Sequence, residues 1–335
     1  SNVGSAAAGS RGPRLHQRSE ILAEISDVLA GTCAHPKCPI VIEGLNGTGK
    51  TALLNASLKA ARDLGLRVGR AQCDAAESSA QFGVIRQLFS SMLHQMAIPD
   101  EPMHDGTDLA RRVLRSRFDP TDDPVDVYQS LMLLLETTGE GPVLVGVDDI
   151  QWADAMSAGW LRFLASRLDT ASVHLVVTID ARRVGASGVA DPIVLDPGTR
   201  RYTTHPLGLE ATLAMLAEHV GTPTAHSIAE TAHRVTGGSP LLIARMLSTL
   251  DDLGTPSSMI SEDQIASLAS PVVAHTVSSL VSTLPAGAND LVEALVVLRV
   301  ADLAVAAEVA GIDMDQALTL ADELADVGVL SWDRP

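Results

Sequence analysis

Short, unbroken apolar runs alternate with amphipathic stretches through the first two thirds of the chain, and then the apolar runs stop. Pro39-Ile40-Val41-Ile42, Leu66-Arg67-Val68-Gly69-Arg70-Ala71, Val143-Leu144-Val145-Gly146-Val147 and Val173-His174-Leu175-Val176-Val177-Thr178-Ile179 read as strands. Apart from Leu66 to Ala71, which carries Arg67 and Arg70, these are near-continuous apolar runs of the kind expected of strands covered on both faces. Between them, helical periodicity places apolar residues on one side of Leu15 to Ala30, closing at Gly31, and of Ala52 to about Leu64, closing at Gly65. It recurs over Gln81 to Met96, Val125 to Thr138 and Ala155 to Leu168. The stripe Phe82, Ile85, Leu88, Phe89, Met92 and Met96 is core packing rather than a ligand surface. Strands alternating with helices predict an α/β fold, a parallel sheet with helices on both faces. Pro99 to Asp123 is polar and broken by prolines, and reads as a partly mobile stretch.

After Pro206 the pattern becomes helical throughout, with Leu209 to Val220, Ala225 to Val235 and Pro240 to Leu250 as helices. Asp251 to Ser270, rich in Ser, Asp, Gly and Pro, reads as a linker between domains. More helices follow from Val272, then Val327-Gly328-Val329-Leu330-Ser331-Trp332 as a short terminal strand. The expected division is a tag or flexible linker over 1–14, an α/β domain over 15–206, a helical domain over 207–265 and a third domain over 266–335, with truncation of the last left open.

A chain of 335 residues can hold two or three domains with real cores. Its composition, 46% hydrophobic and 19% charged, is that of a globular protein, and with only 3% aromatics the core falls to Leu, Val, Ile and Ala. The formal net charge of −17 argues against a nucleic-acid surface built from Lys and Arg, and favours solubility and repulsion from polyanions. Cys33, Cys38 and Cys73 make no disulfide framework. Cys33-Ala34-His35-Pro36-Lys37-Cys38 has a faint metal-ligand spacing without a second ligand pair, so it reads as an ordinary loop with reduced thiols before it reads as a zinc site. No apolar run has the length of a membrane span and no signal peptide is visible, which makes the cytoplasm the expected setting.

The chemistry concentrates at Gly44-Leu45-Asn46-Gly47-Thr48-Gly49-Lys50-Thr51, a G-x-x-x-x-G-K-[ST] loop between a strand and the helix opening at Ala52. Its glycines let successive N–H groups turn around phosphate oxygens, and the following helix points its positive end at them. Gly44, Asn46, Gly47, Thr48, Gly49, Lys50, Thr51 and Ala52 are therefore the phosphate-binding candidates, with Lys50 reaching the β- and γ-phosphates and the Thr51 hydroxyl a ligand for Mg²⁺. The strand from Val143 ends in Asp148 and Asp149, at the carboxyl edge where open α/β sheets collect ligands. Asp148 suits the Mg²⁺ of a bound triphosphate, and Asp149 suits a general base or orienting group for the attacking water. Thr178, near the end of the next strand, is placed to sense the γ-phosphate, while Arg182 and Arg183 read either as charge neutralisers or as a solvated turn. Thr236-Gly237-Gly238-Ser239-Pro240-Leu241-Leu242 is, on residue types alone, a turn with Pro at the first helical position.

Four stretches in order carry a family resemblance: Gly44 to Thr51, Gln81-Phe82-Gly83-Val84-Ile85-Arg86-Gln87-Leu88, Val147-Asp148-Asp149-Ile150-Gln151-Trp152-Ala153-Asp154, and Thr236-Gly237-Gly238-Ser239-Pro240-Leu241. Together they resemble the ATPase module of the large LuxR-type transcriptional regulators of actinobacteria, STAND-class P-loop ATPases related to AAA+ proteins. The similarity runs from about Leu15 to the C-terminus, and its specific parts are Asp-Asp-x-x-Trp-x-Asp and the Gly-Gly-x-Pro-Leu turn. The resemblance implies a P-loop domain, a small helical domain and a winged-helix-like domain packed back on the nucleotide. It implies Asp148 as magnesium aspartate, Asp149 as hydrolytic acid, Arg18 on the adenine side, and Pro240 touching adenine or ribose. The family's Gly-Arg pair before the first helix is Gln17-Arg18 here, and its sensor arginine position holds Asp180 with Arg182 and Arg183 nearby.

The resulting expectation is a regulatory switch that binds ATP or ADP with Mg²⁺, hydrolyses slowly, and self-associates when ATP-bound. DNA contact is expected only through a helix-turn-helix domain that this sequence lacks. Two other readings stay open at this stage: a stand-alone P-loop ATPase or kinase whose turnover is its purpose, and an interaction module that keeps nucleotide for structure.

Overall fold

The four expected strands form, β1 (Ile40–Gly44), β2 (Arg67–Gln72), β3 (Val143–Asp148) and β4 (Val173–Asp180), and a fifth that hydropathy does not announce, β5 (Arg200–Thr204), joins them. The computed structural model describes residues 17–32, 37–93, 106–137, 139–185, 188, 190–281, 284–298, 302–326 and 329–330. The sheet runs β2-β3-β4-β1-β5, and every neighbouring pair is parallel. Alternate residues face opposite layers. Ile40, Ile42, Leu144 and Val176 pack under α1 (Ser19–Leu29) and α2 (Lys50–Asp63). Val41, Val145, Val147, Leu175 and Val177 pack under α3 (Gly83–Leu93), α4 (Asp108–Leu114), α5 (Pro124–Thr137), α6 (Ala155–Ala165) and α7 (Asp191–Val194). Both faces of the sheet are therefore dry, which is why its central strands are continuous apolar runs.

Beyond β5 the chain is helical. α8 (Leu209–Val220), α9 (Thr222–Thr236), α10 (Pro240–Asp252) and α11 (Glu262–Val281) surround a core of Leu216, Ile228, Ile243, Met246, Leu250 and Ile265. A further core of Leu291, Ala306, Leu320 and Leu324 joins α12 (Ala288–Leu298), α13 (Leu303–Ala310) and α14 (Met314–Asp326). Among the described residues, no helix is long and apolar enough to cross a membrane.

Three expectations are corrected. The polar stretch before Asp123 contains α4, held because Ala110 and Val113 are buried and the Ala110 N–H donates to Ser130 Oγ (3.0 Å). Residues 251–270 are not a linker: α11 starts at Glu262, with Ile260 and Ile265 buried in the preceding helical core. α11 also runs unbroken through the expected junction at 265/266. Residues 1–14, the Cys33–His35 part of the zinc alternative, Leu15 and Met96 lie outside the described residues, as does most of the expected strand 327–332; Val329 and Leu330, which are described, are not in a strand.

His174 is a polar residue inside β4 and only 7% exposed. Burial, with the Lys37 charge nearby, lowers its imidazole pKa to about 4. The unfolded chain takes up that proton near pH 6.5, whereas the folded chain does not until about pH 4. This part of the stability is complete above pH 6.5 and drains away as pH falls toward 4, by about 3 kcal/mol. Urea unfolding of the wild type and of His174→Gln across that range is expected to show the gap between them shifting by this amount; a constant gap refutes the assignment.

Candidate functional site

The loop after β1 is shaped by Gly47 (φ 76°) and Gly49 (φ 91°), both left-handed, with Gly49 capping α2. A side chain at Gly44 has no room: its Cβ would fall 2.1 Å from Thr204 Oγ1 and 2.6 Å from the Thr204 carbonyl oxygen. Thr48 Oγ1 donates to the Leu45 carbonyl (2.7 Å) and meets Thr204 Oγ1 at 2.8 Å, pinning the loop to the end of β5. Lys50 is 6% exposed, and its Nζ donates to the carbonyls of Gly44 (2.9 Å) and Leu45 (3.1 Å). The ammonium thus sits inside the curve of the loop. Burial lowers its pKa, while Asp180, Asp149 and Asp148 pull the other way. Asn46 and Thr51 are exposed at the open side, and Ala52 is half-buried.

The acidic tip of β3 lies beside this lysine. Asp148 is fully buried; its Oδ1 accepts from Thr178 Oγ1 at 2.6 Å, and its Oδ2 has no partner. A buried carboxylate oxygen left unsatisfied is costly unless a cation or donor is meant to meet it. Among the described residues no three His, Cys, Asp or Glu side chains are grouped to hold a metal alone. That donor set fits Mg²⁺, which keeps its waters and takes one or two carboxylates plus phosphate oxygens. Asp148, with its unpartnered Oδ2, and the exposed Thr51 are the residues that could hold it.

Asp149 adopts a left-handed conformation (φ 54°, ψ 50°), uncommon for a residue other than glycine and a form of strain found at functional sites. Its N–H donates to Thr178 Oγ1 at 2.8 Å. Thr178 therefore clasps both acids, donating to one side chain and accepting from the other's backbone. Burial raises the Asp149 pKa, helped by the Asp148 charge and opposed by a hydrogen bond from Gln151 Nε2 (3.2 Å).

The adenine-side candidates are also gathered at the loop. Arg18 is 6% exposed, donates from Nη2 to the His205 carbonyl (2.7 Å), and lies so close to Gly49 that a Cβ there would be 2.6 Å from Nη1. Burial lowers its pKa. Pro240 opens α10, and the residues on either side of it touch the loop: Ser239 Oγ donates to the Gly47 carbonyl at 3.3 Å and the Leu241 N–H to the same oxygen at 3.4 Å. Arg183 stacks at 5.0 Å over Trp152, and Arg182 pairs with Asp180.

Sequence reasoning passed over four residues here. Gln151 joins the tips of β3 and β4 by accepting from the Asp180 N–H (3.3 Å) as well as donating to Asp149. Thr204 walls the loop, with no signal in the sequence because its strand was not legible. Ser239 was quoted only as part of the turn before Pro240, with no role of its own. Asp154, quoted as a motif residue, is a structural anchor, accepting from the N–H groups of Phe82 (2.8 Å) and Ser157 (2.9 Å) and so tying α3 to α6.

Residues 14–178 match the AAA ATPase domain family. A comparison with the curated proteins found no match. Among solved structures the chain is similar to Aeropyrum pernix Orc1 in complex with DNA: 17% identical, TM-score 0.53, covering 95% of this chain and 85% of that one. It is similar to Aeropyrum pernix Orc2 in its ADP form, 14% identical, TM-score 0.51, covering 95% and 87%. Pyrobaculum aerophilum Cdc6p gives 14% identity, TM-score 0.50, and coverage of 96% and 89%. At such identities the likeness is one of fold: the five-stranded parallel sheet flanked by helices is that of AAA+ P-loop ATPases.

Proposed function

From the premise that residues 14–178 carry an AAA ATPase domain, we propose that this chain is the ATP-binding switch module of a LuxR-type transcriptional regulator of the STAND class, working in the cytoplasm. Its nucleotide state governs the arrangement of an α/β domain, a helical domain and a winged-helix-like domain, and through it self-association. The loop from Gly44 to Ala52 holds the phosphates, with Lys50 on the β- and γ-oxygens. Asp148 and Thr51 hold Mg²⁺, which when bound neutralises phosphate charge. Asp149 orients the attacking water for a slow hydrolysis, Thr178 fixes both acids, and Arg18 and Pro240 flank the base and ribose.

The observation that carries the switch reading is the contact of Ser239 and Leu241 with the carbonyl of Gly47. The helical unit rests on the phosphate loop itself, so any change in that loop's occupancy changes a contact the helical unit depends on. Titration of the purified chain with ATP and with ADP in the presence of Mg²⁺, followed by calorimetry and by sedimentation velocity, tests the proposal. Binding of both, with a different sedimentation coefficient in each, is the expected result. A folded chain that binds neither ends it, and sustained turnover abolished by Asp149→Asn without any change of shape favours an enzyme proper.

A further inference from the structure

β4 ends in an acid where it passes the phosphate loop. The β1–β4 register sets Asp180 opposite Gly44, the first residue of that loop. Asp180 is 4% exposed, and its carboxylate is gripped by one arginine: Arg182 Nε lies 3.1 Å from Oδ1 and Nη2 lies 3.0 Å from Oδ2, a two-point ion pair. The Arg182 N–H also donates to Oδ1 (3.0 Å), so the pair is locked into the turn that follows the strand. Gln151 links the Asp180 backbone to the Asp149 carboxylate, which couples this corner to the rest of the acidic edge.

The charges around Lys50 decide what such a pair does. Lys50 and Arg182 supply two positive charges, and Asp148, Asp149 and Asp180 supply three negative ones. Among these side chains negative charge exceeds positive by one before any phosphate arrives. A triphosphate brings more negative charge to it than a diphosphate. With Arg182 bound to Asp180 in two places, the pair adds no net charge and the arginine is kept from the phosphates.

We propose that the Asp180–Arg182 ion pair sets the preference of this site between nucleoside diphosphate and nucleoside triphosphate, by holding a neutral charge balance at the end of β4 beside Gly44. The proposal rests on the nucleotide-binding reading above and adds to it the residues that weigh the two nucleotides. Removing the carboxylate charge frees the guanidinium and favours triphosphate; removing the guanidinium leaves a bare buried acid and favours diphosphate. Removing both restores neutrality.

The test is competition binding of ADP and ATP, both with Mg²⁺, to the wild type, Asp180→Asn, Arg182→Gln and the double variant. Asparagine keeps an oxygen to cap the turn, so the fold is retained, and circular dichroism checks this. Asp180→Asn is expected to raise the ATP-to-ADP affinity ratio about tenfold and Arg182→Gln to lower it about tenfold, the scale of one unit charge in a partly buried site. The double variant is expected to return close to the wild-type ratio. If both single variants move the ratio in the same direction, or leave it unchanged while nucleotide still binds, the role of the pair is overturned. A wild type that binds neither nucleotide overturns the reading of the whole site, a result distinct from either of these.

Discussion

Lys50→Ala is expected to lower triphosphate affinity by about a hundredfold or more while the sheet stays folded. A charge-assisted contact from an ammonium to phosphate is roughly twice as strong as a neutral one, and it gains from low local dielectric. Lys50 meets both conditions: it is 6% exposed, and it stands where the backbone of Gly44 and Leu45 curls around its Nζ. Its loss also leaves an incoming phosphate facing Asp148, Asp149 and Asp180 with one fewer positive charge to oppose them. The fold tolerates the change because alanine is a strong helix former at the start of α2. Titration with ATP of the variant and the wild type measures the effect, and equal affinities mean the phosphates bind elsewhere.

Gly238→Ala is expected to lower stability by about 3 kcal/mol or more. Two penalties coincide there. Gly238 has φ +71°, and a Cβ would fall 2.2 Å from the carbonyl oxygen of Leu207, which is backbone and has nowhere to go. The Gly238 carbonyl in turn accepts from the Leu207 N–H at 2.8 Å, so relief of the clash breaks that bond as well. The neighbouring Gly237 is the control. It has φ +58° but open space around its Cβ position, so Gly237→Ala bears only the backbone strain, about 1 kcal/mol. Thermal unfolding of the two variants separates the cases, and similar losses in both contradict the argument from the clash.

What the sequence made legible followed from local chemistry. β1, β3 and β4 are covered on both faces, so burial writes them as apolar runs; the phosphate loop is legible because its glycines and lysine sit within eight residues of one another. β5 shows the limit. Arg200 to Thr204 has a polar edge-strand sequence with only Thr204 buried, and it is a strand because β1, some 160 residues earlier, offers it an edge to pair with. Residues 251–270 mislead for the opposite reason: their turn-forming residues are real, but the burial of Ile260 and Ile265 in the α8–α11 core outweighs them. At the site, the acids and the lysine could be named from spacing, whereas the clasp by Thr178, the bridge by Gln151 and the seat of Ser239 on Gly47 depend on tertiary neighbours. Asp154 reads as part of an acidic motif, yet its partner N–H groups include Phe82, 72 residues away.

The short passage from β5 to α8 is fastened along its length. Thr204 is tied to Thr48, the His205 carbonyl to Arg18, the Leu207 N–H to Gly238, and the Gly208 N–H to the Gln17 side chain. A passage stitched on both sides is a poor pivot, because the α8–α11 unit has no swivel there until those bonds part. Each net bond is worth about 1 kcal/mol, so they part together or hardly at all. A swing of that unit about this passage therefore has to release bonds to the phosphate loop as well, which makes the passage less a hinge than a clasp.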